Sequence, residues 1–355
     1  MSRVAWLLIV SAAGWFSLTA VAETYPAASV GARQLTIYST TDTAVFEAAV
    51  RHFQRLNPGI AVQYEELESH VLYERFLEDL KHGKPRADLL LSSAMDLQVK
   101  LVNDGYAATH LSANARMLPE WARWRDQAFG FTFEPAVMVF NVNAFSGRTL
   151  PRTRSELIEL VRRDPAAWRG RIGTYDIAGS SVGYLLASQD ARQSSEFSAL
   201  LETLGDAGVV IERRTSDLLA RLEKGNLAIG YNLLGSYAQS RIAAGAPLAI
   251  VYPRDYTLVV TRTAVLPASA PNPDAAHRFL EYLVSIEGQR TLANEGGLPA
   301  IRNEASVQQT RGGITNAVVG PLRPVVLGPG LLVYLDQLKK RRFMNLWNGA
   351  IEPPK

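Results

Sequence analysis

No cysteine occurs among the 355 residues, which excludes disulfides and any thiolate metal site. Histidine is nearly as scarce. His52, His70, His82, His110 and His277 lie far apart, without the H-E-x-x-H or H-x-x-E-H spacing that seats a metal. They read as solvated residues on helix faces, and neither a metal nor a cofactor is expected. An excess of one charge is missing too: 37 Lys and Arg against 34 Asp and Glu give a formal net charge of +3. That balance leaves no footprint for a nucleic acid. Beyond the N-terminus no stretch is apolar enough to span a membrane, and there is no internal repeat, low-complexity tract or long linker.

The N-terminus is different. Arg3 leads into a mostly apolar run over residues 4–21, and Ala20-Val21-Ala22 supplies a small-x-small site. This is the layout of a secretory signal peptide cut after Ala22, and it directs the chain to the periplasm. An uncleaved membrane anchor is the rival, but Ser11, Gly14, Ser17 and Thr19 interrupt a run already short for a spanning helix. No cysteine follows that could carry a lipid. Cleavage would leave 333 of the 355 residues and, with Arg3 gone, lower the net charge from +3 to +2. A chain of that length usually divides into two cores. With 47% hydrophobic and 20% charged residues it reads as a folded globule.

Strand-like and helix-like patterns alternate from Leu35 onward. Residues 35–38 read as a strand. Val45, Phe46, Ala49, Val50, Phe53 and Leu56 then form one helical stripe over Thr43–Leu56. Asn57-Pro58-Gly59 stops that helix; a strand over 60–65, a helix over 70–81 and a buried strand over 87–91 follow. The next helix ends at Asp104, with Gly105 as its C-terminal stop. Residues 131–141, FTFEPAVMVFN, read as an extended crossover. Beyond it come helix Arg154–Arg163, strand 171–175, helices 182–189 and 196–204, strand 209–211, helix 217–222 and strand 227–231. A return crossover lies within 248–260, and Asn272-Pro273 opens a helix to Val284 as N-cap and first-turn proline. The expected fold is α/β: two lobes, each a mostly parallel sheet with flanking helices, joined by two crossover hinges around a cleft. Ligands of such sheets sit beyond the carboxyl ends of the strands.

Hydrogen-bonding side chains are concentrated at those ends. Four junctions stand out: Ser39-Thr40-Thr41-Asp42, Ser92-Ser93, residues 176–181 with Ser180 and Ser181, and Tyr231-Asn232 with Gly235-Ser236 close behind. Each precedes a helix, where unpaired backbone N–H groups and the helix dipole favour an anion. Plain N-capping would also place Ser, Thr and Asp there. Tyr175, Tyr184, Tyr231 and Tyr237 suit the aromatic walls of a ligand site, with core packing as the alternative. Arg254 or Arg241 could pair with ligand charge.

Three motifs point elsewhere. Gly179, Ser181 and Gly183 fit the G-x-S-x-G nucleophile elbow, but the sole later histidine is His277 on a helix, and no HGGG-type oxyanion segment exists. Tyr231 and Tyr237 could ligate ferric iron as phenolates, though their spacing does not make them converge. Lys339-Lys340-Arg341-Arg342 reads as a solvated helix face, with docking onto a partner as the sharper option.

The segments LTIYSTTD, FQRLNPGIAVQY, ADLLLSSAMDLQVKLVNDGYA, NLAIGYNLLGSYA and HRFLEYLVSIEGQRTLANEGGLPAIR resemble those of bacterial periplasmic solute-binding proteins of ABC importers. The likeness is to the two-crossover class that includes ferric-ion, thiamine, polyamine and phosphonate binders, and it spans residues 34–301. The C-terminal LRPVVLGPGLLVYLDQLKKRRFMNLW is similar to a subgroup encoded beside two-component sensors, like the phosphoglycerate-transport regulatory proteins. The resemblance implies a type II periplasmic-binding-protein fold, with lobe 1 at 33–133 plus 255–310, lobe 2 at 134–254, and a helical segment at 311–355 packed on the lobes. It implies a non-enzymatic, monomeric receptor for a small anion, partnered by an inner-membrane ABC permease or a sensor kinase. The expected ligand residues are Ser39, Thr40, Thr41, Ser92, Ser93, Tyr175, Ser180, Ser181, Tyr231, Asn232 and Tyr237. Ferric-ion binders carry adjacent tyrosines and a histidine where this chain has Leu233-Leu234 or Ser236-Tyr237 and Asp42. A small organic or phosphorylated anion is therefore favoured over iron.

Overall fold

The computed structural model describes residues 21–29, 33–305, 314 and 318–351. The expected signal peptide falls mostly outside this range, as does part of the expected C-terminal segment. Cleavage after Ala22 would still leave Glu23–Tyr25 of the first strand in place. That strand, β1 (Val21–Tyr25), is followed by β2 (Arg33–Ser39), β3 (Ile60–Glu66), β4 (Leu89–Ser92), β5 (Arg123–Trp124) and β6 (Ala128–Gly130). The chain then leaves through β7 (Glu134–Asn141), fully buried along its length. A second sheet takes β7 with β8 (Ile172–Tyr175), β9 (Val210–Glu212), β10 (Ile229–Leu234), β11 (Leu248–Val251) and β12 (Thr257–Val260). The return strand β13 (Thr263–Val265) inserts between β4 and β6, and β14 (Leu322–Pro324) adds to β12.

Each sheet contains a block of three parallel strands. β2 pairs parallel with both β3 and β4, and β8 pairs parallel with both β9 and β10. Antiparallel neighbours come from the crossovers, where β13 runs against β4 and β6 while β12 and β10 run against β7, and also from β1 against β3 and β5 against β6. A strand returning from the other lobe enters the sheet from the opposite end, so the sheets are mixed. Because β12 pairs with Pro135 and Glu134 of β7, the step between sheets falls at Thr261-Arg262, beyond the return at residue 255 read from the sequence.

Helix Thr43–Leu56 has the bounds its stripe dictates, and Phe46, Ala49, Val50 and Phe53 are buried. Gly105 takes φ +84° just beyond helix Met95–Asn103, the left-handed stop that glycine permits without a Cβ penalty. Asn272 precedes Pro273–Val284 but does not cap it; its backbone N–H and Nδ2 donate to buried Asp88 instead. At the far end, helix Gln337–Ile351 buries Phe343, Trp347 and Ile351 against the second lobe. The turn Pro329–Tyr334 before it rests on helix Met95–Asn103 of the first lobe. Lys339, Lys340, Arg341 and Arg342 are exposed on that last helix. Among the described residues no helix is long and apolar enough to cross a membrane.

Candidate functional site

The carboxyl ends of the two sheets face each other across a cavity of about 50 Å3. Thr40 reaches it from the end of β2, Glu68 and Ser69 from beyond β3, and Ser93 from beyond β4. From the other lobe come Ser180, Arg213, Arg214, Thr215, Ser216 and Tyr237. Helices Ser69–Lys81, Met95–Asn103, Ser181–Gln193 and Thr215–Glu223 all begin at this wall. Their N-terminal N–H groups and dipoles make the space favourable for an anion.

Arg262 forms the floor, on the step between the sheets. Its side chain is 1% exposed. Nε donates to Glu134 Oε1 at 2.9 Å, and Nη1 donates to Thr41 Oγ1 at 2.7 Å. Nη2 is buried and has no hydrogen-bond partner. The guanidinium carbon lies 5.3 Å from the centre of the Tyr237 ring. Burial pulls the pKa of Arg262 down, but Tyr237 and Glu134 outweigh it, and the net displacement is upward. A permanently charged donor with one nitrogen unengaged therefore lines the cavity. Such a buried orphan is costly unless a ligand meets it.

The lobes also touch directly. Arg214 Nη1 donates to Glu66 Oε1 at 2.8 Å, and its Nε donates to Glu68 Oε1. Tyr237 donates its hydroxyl to Asp42 Oδ1 at 2.9 Å. Asp42 occupies the N-cap position of helix Thr43–Leu56, yet its side chain does not cap that helix. Burial, more than any neighbour, pushes the Tyr237 hydroxyl up to about 12, and Asp42 adds to the shift.

Of the residues singled out from the sequence, Thr40, Asp42, Ser93, Ser180 and Tyr237 line the cavity. The others support it or face away. Ser39 Oγ accepts from Tyr64 and from the Thr41 N–H, Ser92 Oγ accepts from the Ala94 N–H, and both are buried. Thr41 holds Arg262, and Tyr175 shares a 2.6 Å hydrogen bond with Thr215. Ser181 is not a lining residue, although Ser180 and Val182 on either side of it are. Tyr231 and Asn232 sit at an irregularity of β10, Asn232 with φ +62°. The bulge turns both towards buried Asp190, which accepts from the Tyr231 hydroxyl at 2.6 Å and from Asn232 Nδ2 at 2.7 Å. Tyr184 donates to the Tyr334 carbonyl at the C-terminal segment. Arg241 pairs with Glu223, and Arg254 borders a separate groove. Arg262, Arg213, Arg214 and Glu68 went unread in the sequence. The available signal was a lone arginine inside the apolar β-run VVTRTAVL.

The rival chemistries meet specific obstacles. His277 Nδ1 lies 2.8 Å from His110 Nδ1, so it is engaged away from Ser181, and His110 is buried rather than solvated. Glu66 and Glu68 are held by Arg214, and Asp42 and Tyr237 are bonded to each other. Tyr231 is turned to Asp190 and does not line the cavity, so it does not meet Tyr237 there. Among the described residues no group of three or more His, Asp or Glu is placed to hold a metal ion.

Comparison with known proteins gives the same outline. The chain matches the family described as bacterial extracellular solute-binding protein over residues 35–296. The substrate-binding protein of an ABC transporter from Agrobacterium tumefaciens is 38% identical, with a TM-score of 0.90 over 94% of this chain and 99% of that one. AfuA from Actinobacillus pleuropneumoniae, solved with fructose-6-phosphate, is 16% identical with a TM-score of 0.74 over 90% of this chain and 99% of that one. Iron-bound HitA from Pseudomonas aeruginosa is 20% identical with a TM-score of 0.70 over 89% of this chain and 99% of that one. The comparison with curated proteins found none that matches. With two mixed sheets, helices on their faces and a cleft between them, this chain belongs to the bacterial extracellular solute-binding proteins.

Proposed function

We propose that the protein is a periplasmic receptor that encloses a small phosphorylated solute between its lobes and delivers it to an ABC permease. The observation that carries this reading is that Arg262, a lining residue of the cavity where four helices begin, keeps a buried Nη2 without a hydrogen-bond partner. A phosphate oxygen would accept from Nη2, while Thr40, Ser93, Ser180 and Thr215 would donate hydroxyl hydrogens. The similarity to an ABC-transporter substrate-binding protein supports the delivery role, and the sugar-phosphate complex of AfuA supports a phosphorylated cargo. Export by the N-terminal signal and a monomeric state belong to the same reading. Hinge motion at the two crossovers would close the lobes, driven only by tighter binding in the closed form.

Thermal-shift screening of residues 23–355 against phosphorylated and carboxylated metabolites tests this. A true ligand at a hundredfold excess over its dissociation constant should add about 2.7 kcal/mol to stability. Stabilisation by carboxylates alone, or a coloured tyrosinate complex with ferric ion, would contradict the proposal.

A further inference from the structure

The hydrogen bond between Tyr237 and Asp42 divides the cleft. On one side lies the Arg262 cavity; on the other a second cavity of about 220 Å3, lined by Asp42, Tyr237, Ser216, Ser240 and Arg241 among others. Asp42, Tyr237 and Ser216 border both spaces. A solute anchored at Arg262 and long enough to reach the second space must pass this pair.

The charges on the two sides differ. Glu66 and Glu68 share the single charge of Arg214, Glu134 is paired with Arg262, and Asp176 faces Arg213 at 3.5 Å. Asp42, by contrast, lines both spaces without an ion pair among the described residues, and its side-chain bond is to a neutral phenol. It also stands at the positive end of helix Thr43–Leu56, where it supplies the negative charge that end favours. A second anion arriving there would meet a like charge in a confined space, whereas a hydroxyl or ammonium would donate to it. Arg241, the cation on this wall, is bonded to Glu223 through Nη1 at 3.3 and 3.4 Å.

We infer that Asp42 sets the ligand class: one phosphoryl group held at Arg262, and hydrogen-bond donors rather than a second anion at the far end. This rests on the phosphate reading above. The class is a phosphorylated polyol or amine, and a phosphorylated carboxylic acid is excluded.

Glycerol 3-phosphate and 3-phosphoglycerate test it directly, since they differ by a terminal CH2OH against a carboxylate. Isothermal titration of the wild-type protein should find glycerol 3-phosphate tighter by about tenfold or more. Asp42→Asn should narrow that ratio to about threefold or less, mainly by strengthening 3-phosphoglycerate. Tyr237→Phe, which removes the partner of Asp42, should widen it. Inorganic phosphate, small enough for the Arg262 side alone, serves as the control. If it and glycerol 3-phosphate bind but 3-phosphoglycerate binds as tightly, or Asp42→Asn leaves the ratio unchanged, the inference fails and the phosphate reading survives. If none of the three binds, the phosphate reading fails and the inference falls with it.

Discussion

Two buried charged residues stand in contrast, Asp190 with its hydrogen bonds filled within the fold and Arg262 with a nitrogen left over at the cavity wall. Asp190, 0% exposed, accepts from Arg154, Tyr231, Tyr256 and Asn232 at 2.6–3.0 Å. Every one of those donors is intramolecular, so the knot reads as architecture. Asp190→Asn would leave Arg154 with Asp255 as its one remaining carboxylate, at 2.9 Å, and would replace a charged acceptor of two phenols by an amide. It should lower stability by about 3–5 kcal/mol in urea unfolding, without abolishing phosphate binding in whatever fraction folds. Arg262 has the same burial but one unfilled nitrogen. What the sequence could show follows this division. Thr40, Ser93 and Ser180 were legible as hydroxyls at strand-helix junctions because the cause is local. Tyr231 and Asn232 looked the same locally, but Asp190, 41 and 42 positions away in sequence, captures them. Arg262 and Glu134 lie 128 positions apart, and no local pattern announces their meeting.

At the scale of elements, helix Met95–Asn103 carries an unusual first turn. Asp96 is 3% exposed, and burial raises its carboxyl from 3.8 to about 6, against the opposing pull of the Leu97 N–H and of Lys340. The folded chain thus holds this proton over a range in which the unfolded chain has released it. The charged form is the disfavoured one. The stability cost is absent well below pH 3.8, grows as pH rises through that value and is complete above about 6, reaching roughly 3 kcal/mol. Asp96→Asn should therefore gain on the wild type as pH rises from 4 to 7 in urea titrations. Equal stability of the two at pH 7 would contradict the assignment. Helix Thr43–Leu56 was legible in its bounds and in Phe46, Ala49, Val50 and Phe53 of its stripe, since 3.6-residue periodicity is a local signal, although Leu56 at its end is 50% exposed. The antiparallel pairing of β13 with β4 and of β12 with β7 was not legible, because these partners are brought together by a crossover.

Across the whole molecule, two polar contacts bridge the lobes at the cleft, Arg214 with Glu66 and Glu68, and Tyr237 with Asp42. Arg214 is 38% exposed, so screening by water and salt limits what it contributes. Arg214→Ala should nonetheless shift the unliganded protein towards an open form, seen as a larger radius of gyration by X-ray scattering, with ligand restoring the compact value. An unchanged radius would mean that the bridges do not hold the lobes. The central claim is that Arg262 closes the anion site with the nitrogen that the fold leaves unpaired. Isothermal titration with glycerol 3-phosphate on wild type and Arg262→Lys tests it most directly, because lysine keeps a charge beside Glu134 but cannot reach three partners in a planar fork. The account expects wild-type binding and a loss of about tenfold or more in Arg262→Lys at preserved thermal stability. Equal affinity in the two proteins would contradict it.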